Sequence, residues 1–330
     1  NINLKNKNKE FENKLFYSYE LIGISENIKD IKDQINKISI SESRIFINGP
    51  TGSGKELIAR KIHKESKRLK GPFVILNGAL LDVEKYELEL FGEEKENGSI
   101  SYGALEKATS GILLIDEVSE IPLDTQSKIL RVLIDQKFKR INGSHDIKVD
   151  VRIICSSSKD IKNEIETGNF REDLYHRLNV FEININPLKN RISDIPLLIE
   201  YFSKKISSAY NLKKLNINCN DSYLLNYEWP GNVRELRNLI ERIAILSPEN
   251  SNKISNIIKE SLKTPDIKDE PLKNSLSVPL KEARENFEKE YLTTQLKKFN
   301  GNISKTADFI GMERSALHRK LKILGIKELN

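Results

Sequence analysis

Seven consecutive residues, Gly49-Pro50-Thr51-Gly52-Ser53-Gly54-Lys55, are of the types and spacing that hold a phosphate. Glycines placed this way let backbone N–H groups curl around phosphate oxygens. The lysine neutralises β/γ charge, and a following helix N-terminus adds its dipole. The next residue, Glu56, is counted with the loop as a nucleotide contact, although a phosphate loop ordinarily carries there a serine or threonine that ligates magnesium. Further on, Ile112-Leu113-Leu114-Ile115-Asp116-Glu117 is an apolar run ending in two acids. There Asp116 would hold Mg²⁺, directly or through water, and Glu117 would polarise a water for attack on a γ-phosphate. Each signal has an ordinary alternative: a glycine-rich turn that holds nothing, and a helix start that favours acids. Together they point to an ATP site.

A second kind of chemistry is suggested near the C-terminus. From Lys297 onward there are eight basic residues against three acidic, a local charge of +5 in a chain whose net charge is +6. A concentrated basic tail suits a polyanion, usually nucleic acid, although solvated lysine-rich ends are also common. Asn302-Ile303-Ser304-Lys305-Thr306-Ala307 opens a short helix, Gly311 makes a turn, and a helix follows from Glu313 to about Lys322. That is helix-turn-helix spacing, with a polar, basic second helix fit for the major groove of double-stranded DNA. Lys305, Arg314, Ser315, His318, Arg319 and Lys320 are the candidate DNA contacts, and Leu317 and Leu321, four apart, would face inward. The plain alternative is a three-helix bundle with no ligand.

The elements that must position these groups follow from hydrophobic patterning. Residues 44–48, 73–76, 112–115 and 151–155 are short runs rich in Ile, Val and Leu, separated by helix-length stretches. Such spacing predicts a parallel sheet covered on both faces, with the phosphate loop leaving the first strand for the helix at 56–63. From Ile192 the pattern turns helical, beginning with Pro196-Leu197-Leu198-Ile199-Glu200-Tyr201-Phe202. Residues 248–278 are rich in Ser, Asn, Lys and Pro and read as a flexible connection, with one helical piece around 254–262. Another helical block begins at Pro279, and no internal repeat is present.

The 330 residues are 38% hydrophobic and 31% charged. No run approaches the roughly 18 apolar residues of a membrane span, and no charged-then-apolar leader opens the chain. Cys155 and Cys219 lie far apart without metal-ligand spacing, which argues against a disulfide scaffold and for a reducing, cytoplasmic location. The chain starts at Asn1, so an N-terminal segment is expected to precede it.

Glutamate directly after the loop lysine resembles the bacterial enhancer-binding AAA+ ATPases, regulators known for activating sigma-54 RNA polymerase. The resemblance extends along nearly the whole chain. Phe73-Val74-Ile75-Leu76-Asn77 is similar to the strand carrying that family's switch asparagine, which implies that Asn77 holds the catalytic glutamate away from water. Asp150-Val151-Arg152-Ile153-Ile154-Cys155-Ser156-Ser157-Ser158 sits where the sensor I strand belongs, with Ser157-Ser158 where the family often has Thr-Asn, and implies that Ser157 reaches the γ-phosphate. Phe170-Arg171-Glu172-Asp173-Leu174-Tyr175-His176-Arg177-Leu178 resembles the arginine-finger stretch. Arg171 and Arg177 would then enter a neighbouring subunit's site, or, read without the family, form surface salt bridges. Trp229-Pro230-Gly231-Asn232-Val233-Arg234-Glu235-Leu236 resembles the sensor II motif of the lid, with Arg234 meeting the nucleotide. Fingers acting in trans imply a homo-oligomer, at least a dimer, with hexamers the family habit. The C-terminal block resembles the Fis-type domain, whose preceding helix, here about 280–299, pairs two subunits.

One departure bears on mechanism. After Glu89-Leu90-Phe91-Gly92 the sigma-54 activators run through a Gly-Ala-Phe-Thr-Gly-Ala loop that grips the sigma factor. Here the chain reads Glu93-Glu94-Lys95-Glu96-Asn97-Gly98-Ser99-Ile100-Ser101-Tyr102 before rejoining the family at Gly103-Ala104-Leu105-Glu106. The NtrX response regulators, partners of the NtrY sensor kinase, lack the loop in the same way. Residues 128–136 and 311–321 also resemble that branch. The expected fold is therefore an α/β AAA+ domain with a parallel sheet and helical lid, plus an all-α Fis-type helix-turn-helix domain. The expected boundaries are a linker from a preceding receiver at 1–18, the ATP-binding subdomain at 19–188, the lid at 189–247, a linker at 248–278 and the DNA-binding domain at 279–330.

The implied function is sigma-54-independent regulation of promoter DNA under an NtrY-like histidine kinase, with ATP and Mg²⁺ as ligands and RNA polymerase contact left open. Three mechanisms remain: a slow ATPase, a regulator using ATP only as a structural ligand, and a sigma-54 activator with a divergent loop.

Overall fold

In the computed structural model, the residues described are 20–262, apart from 81–82, 97, 210–211, 213–214, 216, 220 and 247–250, together with 288–324, apart from 290, 297–298 and 300–301. Two compact units divide between Leu262 and Lys263.

The first unit is built on five strands. They are β1 (Ile45–Asn48), β2 (Phe73–Asn77), β5 (Ile112–Asp116), β8 (Arg152–Ser157) and β9 (Phe181–Asn184), all parallel, in the order β2-β5-β8-β1-β9. The four strands expected from the sequence are present. β9 was not anticipated, because Phe181-Glu182-Ile183-Asn184 has only two apolar residues to announce it. The fully buried strands alternate between two cores, which is why they read as unbroken apolar runs. Ile45, Ile47, Ile112, Leu114 and Ile154 pack beneath helices α1 (Glu26–Ile38) and α2 (Lys55–Glu65). Phe46, Leu113, Ile115, Ile153 and Cys155 pack on the opposite face. That face is covered by α3 (Val83–Phe91), α4 (Ala104–Lys107), α5 (Leu123–Asp135), α6 (Ile161–Glu166) and α7 (Glu172–Leu178).

Two small hairpins complete this part. β3 (Gly92–Glu94) pairs antiparallel with β4 (Ile100–Tyr102), and β6 (Lys137–Phe138) with β7 (Ile147–Lys148). Arg140 braces the first hairpin through ion pairs to Glu94 at 2.8 Å and Glu106 at 2.6 Å.

The lid follows as α8 (Ile195–Ala209), α9 (Ser222–Asn226), α10 (Asn232–Leu246) and α11 (Ser251–Ser261). Its core gathers Leu198, Leu224, Trp229, Leu236, Ile240 and Ile243. The lid extends beyond the boundary expected at 247. Ile254, Ile258 and Leu262 recur at four-residue intervals and are buried in the same core, so polar composition concealed a packed helix. Residues 263–278 of the expected linker and residues 1–18 lie outside the described residues.

In the second unit, α12 (Ile303–Ile310) and α13 (Arg314–Ile323) pack with residues 291–296 through Leu292, Leu296, Ala307, Leu317 and Leu321. Asn302 caps α12 by accepting from the Lys305 N–H, and Gly311 ends it at φ 69°, a left-handed conformation that favours glycine. Residues 280–287 of the expected pairing helix lie outside the described residues.

Candidate nucleotide site and nucleic-acid-facing helix

Strand order assembles the site. β8 lies between β1 and β5, so the end of β8 stands between the loop that leaves β1 and the acids that end β5. Lys55, only 6% exposed, donates to the Gly49 carbonyl at 2.9 Å and pairs with Glu117 Oε1 at 3.1 Å. The other oxygen of Glu117 accepts from both the backbone N–H and the hydroxyl of Ser158, each at 2.8 Å. Burial raises the carboxyl pKa of Glu117, but the Ser158 hydrogen bonds and the Lys55 charge outweigh it and hold the group below its ordinary value. Glu117 itself adopts φ 54°, a conformation that costs a side-chain-bearing residue energy and is concentrated at functional sites.

Three expected residues sit differently from the reading of the sequence. Asn77, expected to hold Glu117, donates instead to Asp116 Oδ2 at 3.2 Å and accepts from the Ala79 N–H. The pairing of β2 with β5 sets Asn77 opposite Asp116, one residue short of the glutamate. Ser157, expected to reach a phosphate, is fully buried, and its hydroxyl contacts Ser119 and the Lys159 carbonyl. Side chains alternate along a strand, so the residues beside Ser157 face the site. Ser156 donates to Asp116 and Ser158 to Glu117. Glu56 points outward and pairs with Arg60 at 2.7 Å, one helical turn on.

The loop is also held from the lid. The Thr51 carbonyl accepts from Asn232 Nδ2 at 3.0 Å, and the Gly52 carbonyl accepts from the Arg234 N–H at 3.2 Å. The Pro50 carbonyl accepts from the Ser53 N–H at 3.2 Å. Gly52, at φ 76°, lies so close to the lid that an added Cβ would sit 2.3 Å from the Gly231 oxygen. Arg234 presents only its backbone here, and its side chain is exposed. Buried Arg191 donates to the Ser53 carbonyl and faces buried Asp194. Asp194 in turn accepts from the Ile24 and Ser25 N–H groups and the Ser25 hydroxyl. Neither Arg191 nor Asp194 was singled out from sequence; both look like ordinary charged residues at a helix start.

Two features of the loop suit a phosphate-bearing ligand. Gly52 and Gly54 both have positive φ, and the buried Ser53 hydroxyl has no hydrogen-bond partner among the described residues. Beside it opens a cavity of about 570 Å³, within the size range of small-molecule sites, lined by Ile22, Gly54, Leu57, Leu198, Val233 and Arg237 among others. Asp116, with Ser156 and Asn77 on its carboxylate, is a single hard oxygen donor. Mg²⁺ bound jointly by one carboxylate, phosphate and water asks for no more. No cluster of three or more His, Cys, Asp or Glu residues able to hold a metal occurs among the described residues.

Arg171 and Arg177 lie on or beside α7 and are exposed. Arg171 pairs with Asp173 at 2.7 Å and reaches Ser127. Neither arginine hydrogen-bonds to the Lys55–Glu117 group of its own chain. In the second unit Arg314, Ser315, His318 and Arg319 are exposed along α13, and Lys305 is exposed on α12. Lys320 is half-buried and pairs with Glu288 at 3.1 Å, which ties it to the bundle.

Residues 21–184 match the sigma-54 interaction domain family, 189–273 the AAA+ ATPase lid domain, and 283–324 the Fis family of bacterial regulatory proteins. The chain is 44% identical over 318 residues to the nitrogen assimilation regulatory protein NtrX of Azorhizobium caulinodans, covering 93% of this chain and 69% of that protein. It is 45% identical over 338 residues to a putative NtrX-like response regulator of Rickettsia typhi, covering 98% and 70%. The crystal structure of NtrX from Brucella abortus in complex with ADP superposes with a TM-score of 0.73 at 44% identity, covering 98% of this chain and 73% of that one. A structure of the same protein with ATP gives the same TM-score.

Proposed function

Because this chain belongs to the NtrX-like response regulators, transcriptional regulators of two-component systems with a sigma-54 interaction domain and a Fis-type helix-turn-helix, we propose that it binds and slowly hydrolyses ATP while seated on promoter DNA. The observation that carries this is the convergence of Lys55, at the end of the loop that leaves β1, with Asp116 and Glu117 at the end of β5, one strand across the sheet, with the 570 Å³ cavity alongside. Related NtrX structures that contain ADP or ATP support the same ligand here.

In this reading, loop N–H groups and Lys55 hold the phosphates, and Val233 and Leu57 line the cavity that takes the base. Asp116 holds Mg²⁺, which when bound neutralises charge on the phosphate oxygens. Glu117 orients the attacking water. Arg171 and Arg177, exposed and absent from their own site, act in a neighbouring copy, so the working species is a dimer or a hexamer. On the DNA, α13 enters the major groove, with Arg314, Ser315, His318 and Arg319 outward. An NtrY-like sensor kinase supplies the input through a receiver domain, and the protein works in the cytoplasm. No helix among the described residues is long and apolar enough to cross a membrane.

Independence from sigma-54 is supported by the segment between Phe91 and Gly103. It folds as a short hairpin, with Gly92 opposite Tyr102 and Glu94 opposite Ile100, and carries no Gly-Ala-Phe-Thr-Gly-Ala sequence. The test is open-complex formation on a sigma-54 promoter with sigma-54 holoenzyme, ATP and the full chain. No opening is expected; opening at the level of a conventional activator overturns this part. A second reading, ATP held without turnover, is favoured by the Lys55–Glu117 pair, which binds together two groups that hydrolysis must separate.

A further inference from the structure

We propose that Gln126 is the positioning residue for Arg171, holding the backbone from which that arginine reaches a neighbouring copy's site. This rests on the reading of Arg171 as a group that acts in trans.

Gln126 lies in the first turn of α5 and is fully buried, although glutamine is a residue type that mostly stays exposed. Its side-chain amide is engaged at both ends. Nε2 donates to the Ile121 carbonyl at 2.8 Å and to the Asn169 carbonyl at 3.0 Å, and Oε1 accepts from the Arg171 N–H at 2.9 Å. Two of these bonds flank Phe170, itself buried, so the amide pairs with that segment as a neighbouring strand would. The third ties the same amide to the end of the short turn, Val118–Glu120, that directly follows Glu117.

Arg171 is the residue on which α7 starts. Its N–H precedes the helix and has no intrahelical partner, so Gln126 supplies the acceptor that the helix cannot. The Arg171 carbonyl then accepts from the Tyr175 N–H at 3.1 Å, which passes the position of this residue to the helix behind it. The guanidinium points outward, between Asp173 at 2.7 Å and the Ser127 hydroxyl at 3.2 Å. Residue 126 thus holds the backbone of the arginine and residue 127 touches its head, and α5 carries both.

The bonds of Gln126 go to Ile121, Asn169 and Arg171, and none goes to Lys55, Asp116 or Glu117. Loss of the amide should therefore spare the site of its own copy and impair that of the neighbour. A merely structural role would impair both.

The experiment uses Gln126→Met in the full chain, which keeps the length of the side chain and removes all of its hydrogen bonds. ATP hydrolysis is read for this variant alone and in equimolar mixtures with Glu117→Gln, whose arginine is intact, and with Arg171→Ala. Misplacing a reacting group by about 1 Å can cost about 10²-fold, so Gln126→Met alone should turn over about 10²-fold more slowly. Its affinity for a fluorescent ATP analogue should be unchanged. In the mixture with Glu117→Gln, half of the copies have a working site and half of those meet an intact arginine. Hydrolysis per subunit should then recover to about a quarter of the unaltered rate. The mixture with Arg171→Ala should stay low, because no copy supplies a well-placed arginine. Amide hydrogen exchange gives a second readout that needs neither turnover nor a variant. An N–H ahead of a helix ordinarily exchanges freely, whereas that of Arg171 should be as protected as that of Tyr175.

An unaltered rate in Gln126→Met, no recovery with Glu117→Gln, or equal recovery with Arg171→Ala overturns the inference while leaving hydrolysis intact. A chain that never hydrolyses ATP overturns the hydrolytic reading instead. In that case, or if Gln126→Met does not fold, exchange at Arg171 in the unaltered chain decides: slow exchange upholds the tie to Gln126, and fast exchange overturns it.

Discussion

Replacing Asp194 by asparagine isolates one buried charge that ties the lid to the start of the first unit. Asp194 and Arg191 are 0% and 2% exposed, with Arg191 Nη1 3.7 Å from Asp194 Oδ2. The asparagine oxygen can keep the bonds from the Ile24 and Ser25 N–H groups, and its amide can donate to the Ser25 hydroxyl. What is lost is the countercharge of Arg191, and stranding one member of a buried pair costs roughly 3–5 kcal/mol. Arg191 retains the carbonyls of Asn186 and Ser53, and 3.7 Å is a long pair, so the lower end, about 3 kcal/mol, applies. With a urea m-value of roughly 2–3 kcal/mol/M, that moves the midpoint down by about 1–1.5 M. The assay is built in: Trp229, the single tryptophan, is 1% exposed in the lid core, so its fluorescence follows this transition. The double variant Arg191→Met/Asp194→Asn should recover part of the loss, with a coupling of about 2 kcal/mol. A midpoint shift equivalent to under 1 kcal/mol, or strict additivity in the double variant, would refute the reasoning.

Other expectations follow from single positions. Gly52→Ala combines a positive-φ backbone with a Cβ 2.3 Å from the Gly231 oxygen. It should cost about 1–3 kcal/mol and weaken ATP binding by separating loop from lid, read by Trp229 unfolding and nucleotide titration. Arg319→Ala should weaken DNA binding by roughly 1–3 kcal/mol if the side chain reads a base edge, or flatten the salt dependence if it meets phosphate; a binding isotherm unchanged at every salt concentration removes Arg319 from the interface. His63 is half-buried, with Nε2 3.1 Å from the carbonyls of Arg68 and Gly71. Burial lowers its pKa below the ordinary 6.5 despite those carbonyls. A depressed folded-state value means that its contribution to stability is present above 6.5 and is lost as the pH falls below it toward the folded-state pKa. Melting temperatures should therefore fall across that window in the unaltered chain and less steeply in His63→Gln.

The sequence made the chemistry of the site easier to read than its wiring. Lys55, Asp116 and Glu117 stood out because their residue types sit at the ends of apolar strands, and strand and loop are adjacent in the chain. Which serine faces the site depends on strand phase: the Ser157 hydroxyl turns to Ser119 and the Lys159 carbonyl while Ser156 and Ser158 touch the acids, and three consecutive serines carry no phase. Asn77 meets Asp116 through the register of two strands far apart in sequence. The contacts from Asn232 and Arg234 to the loop end on the carbonyls of Thr51 and Gly52, and backbone atoms leave no trace in residue type. Likewise, helix α11 was legible as a helical piece, but its burial was not, because two polar residues or more separate Ile254, Ile258 and Leu262 from any continuous apolar run on one side.

The central claim is a nucleotide site that turns over and is completed by a second copy. Steady-state ATP hydrolysis by the full chain, measured across protein concentration with and without DNA and alongside Glu117→Gln, tests it most directly. Turnover per subunit should rise with concentration, as Arg171 and Arg177 of one copy reach the site of another, and vanish in the variant. Nucleotide binding with no turnover at any concentration, or turnover untouched by Glu117→Gln, would contradict it.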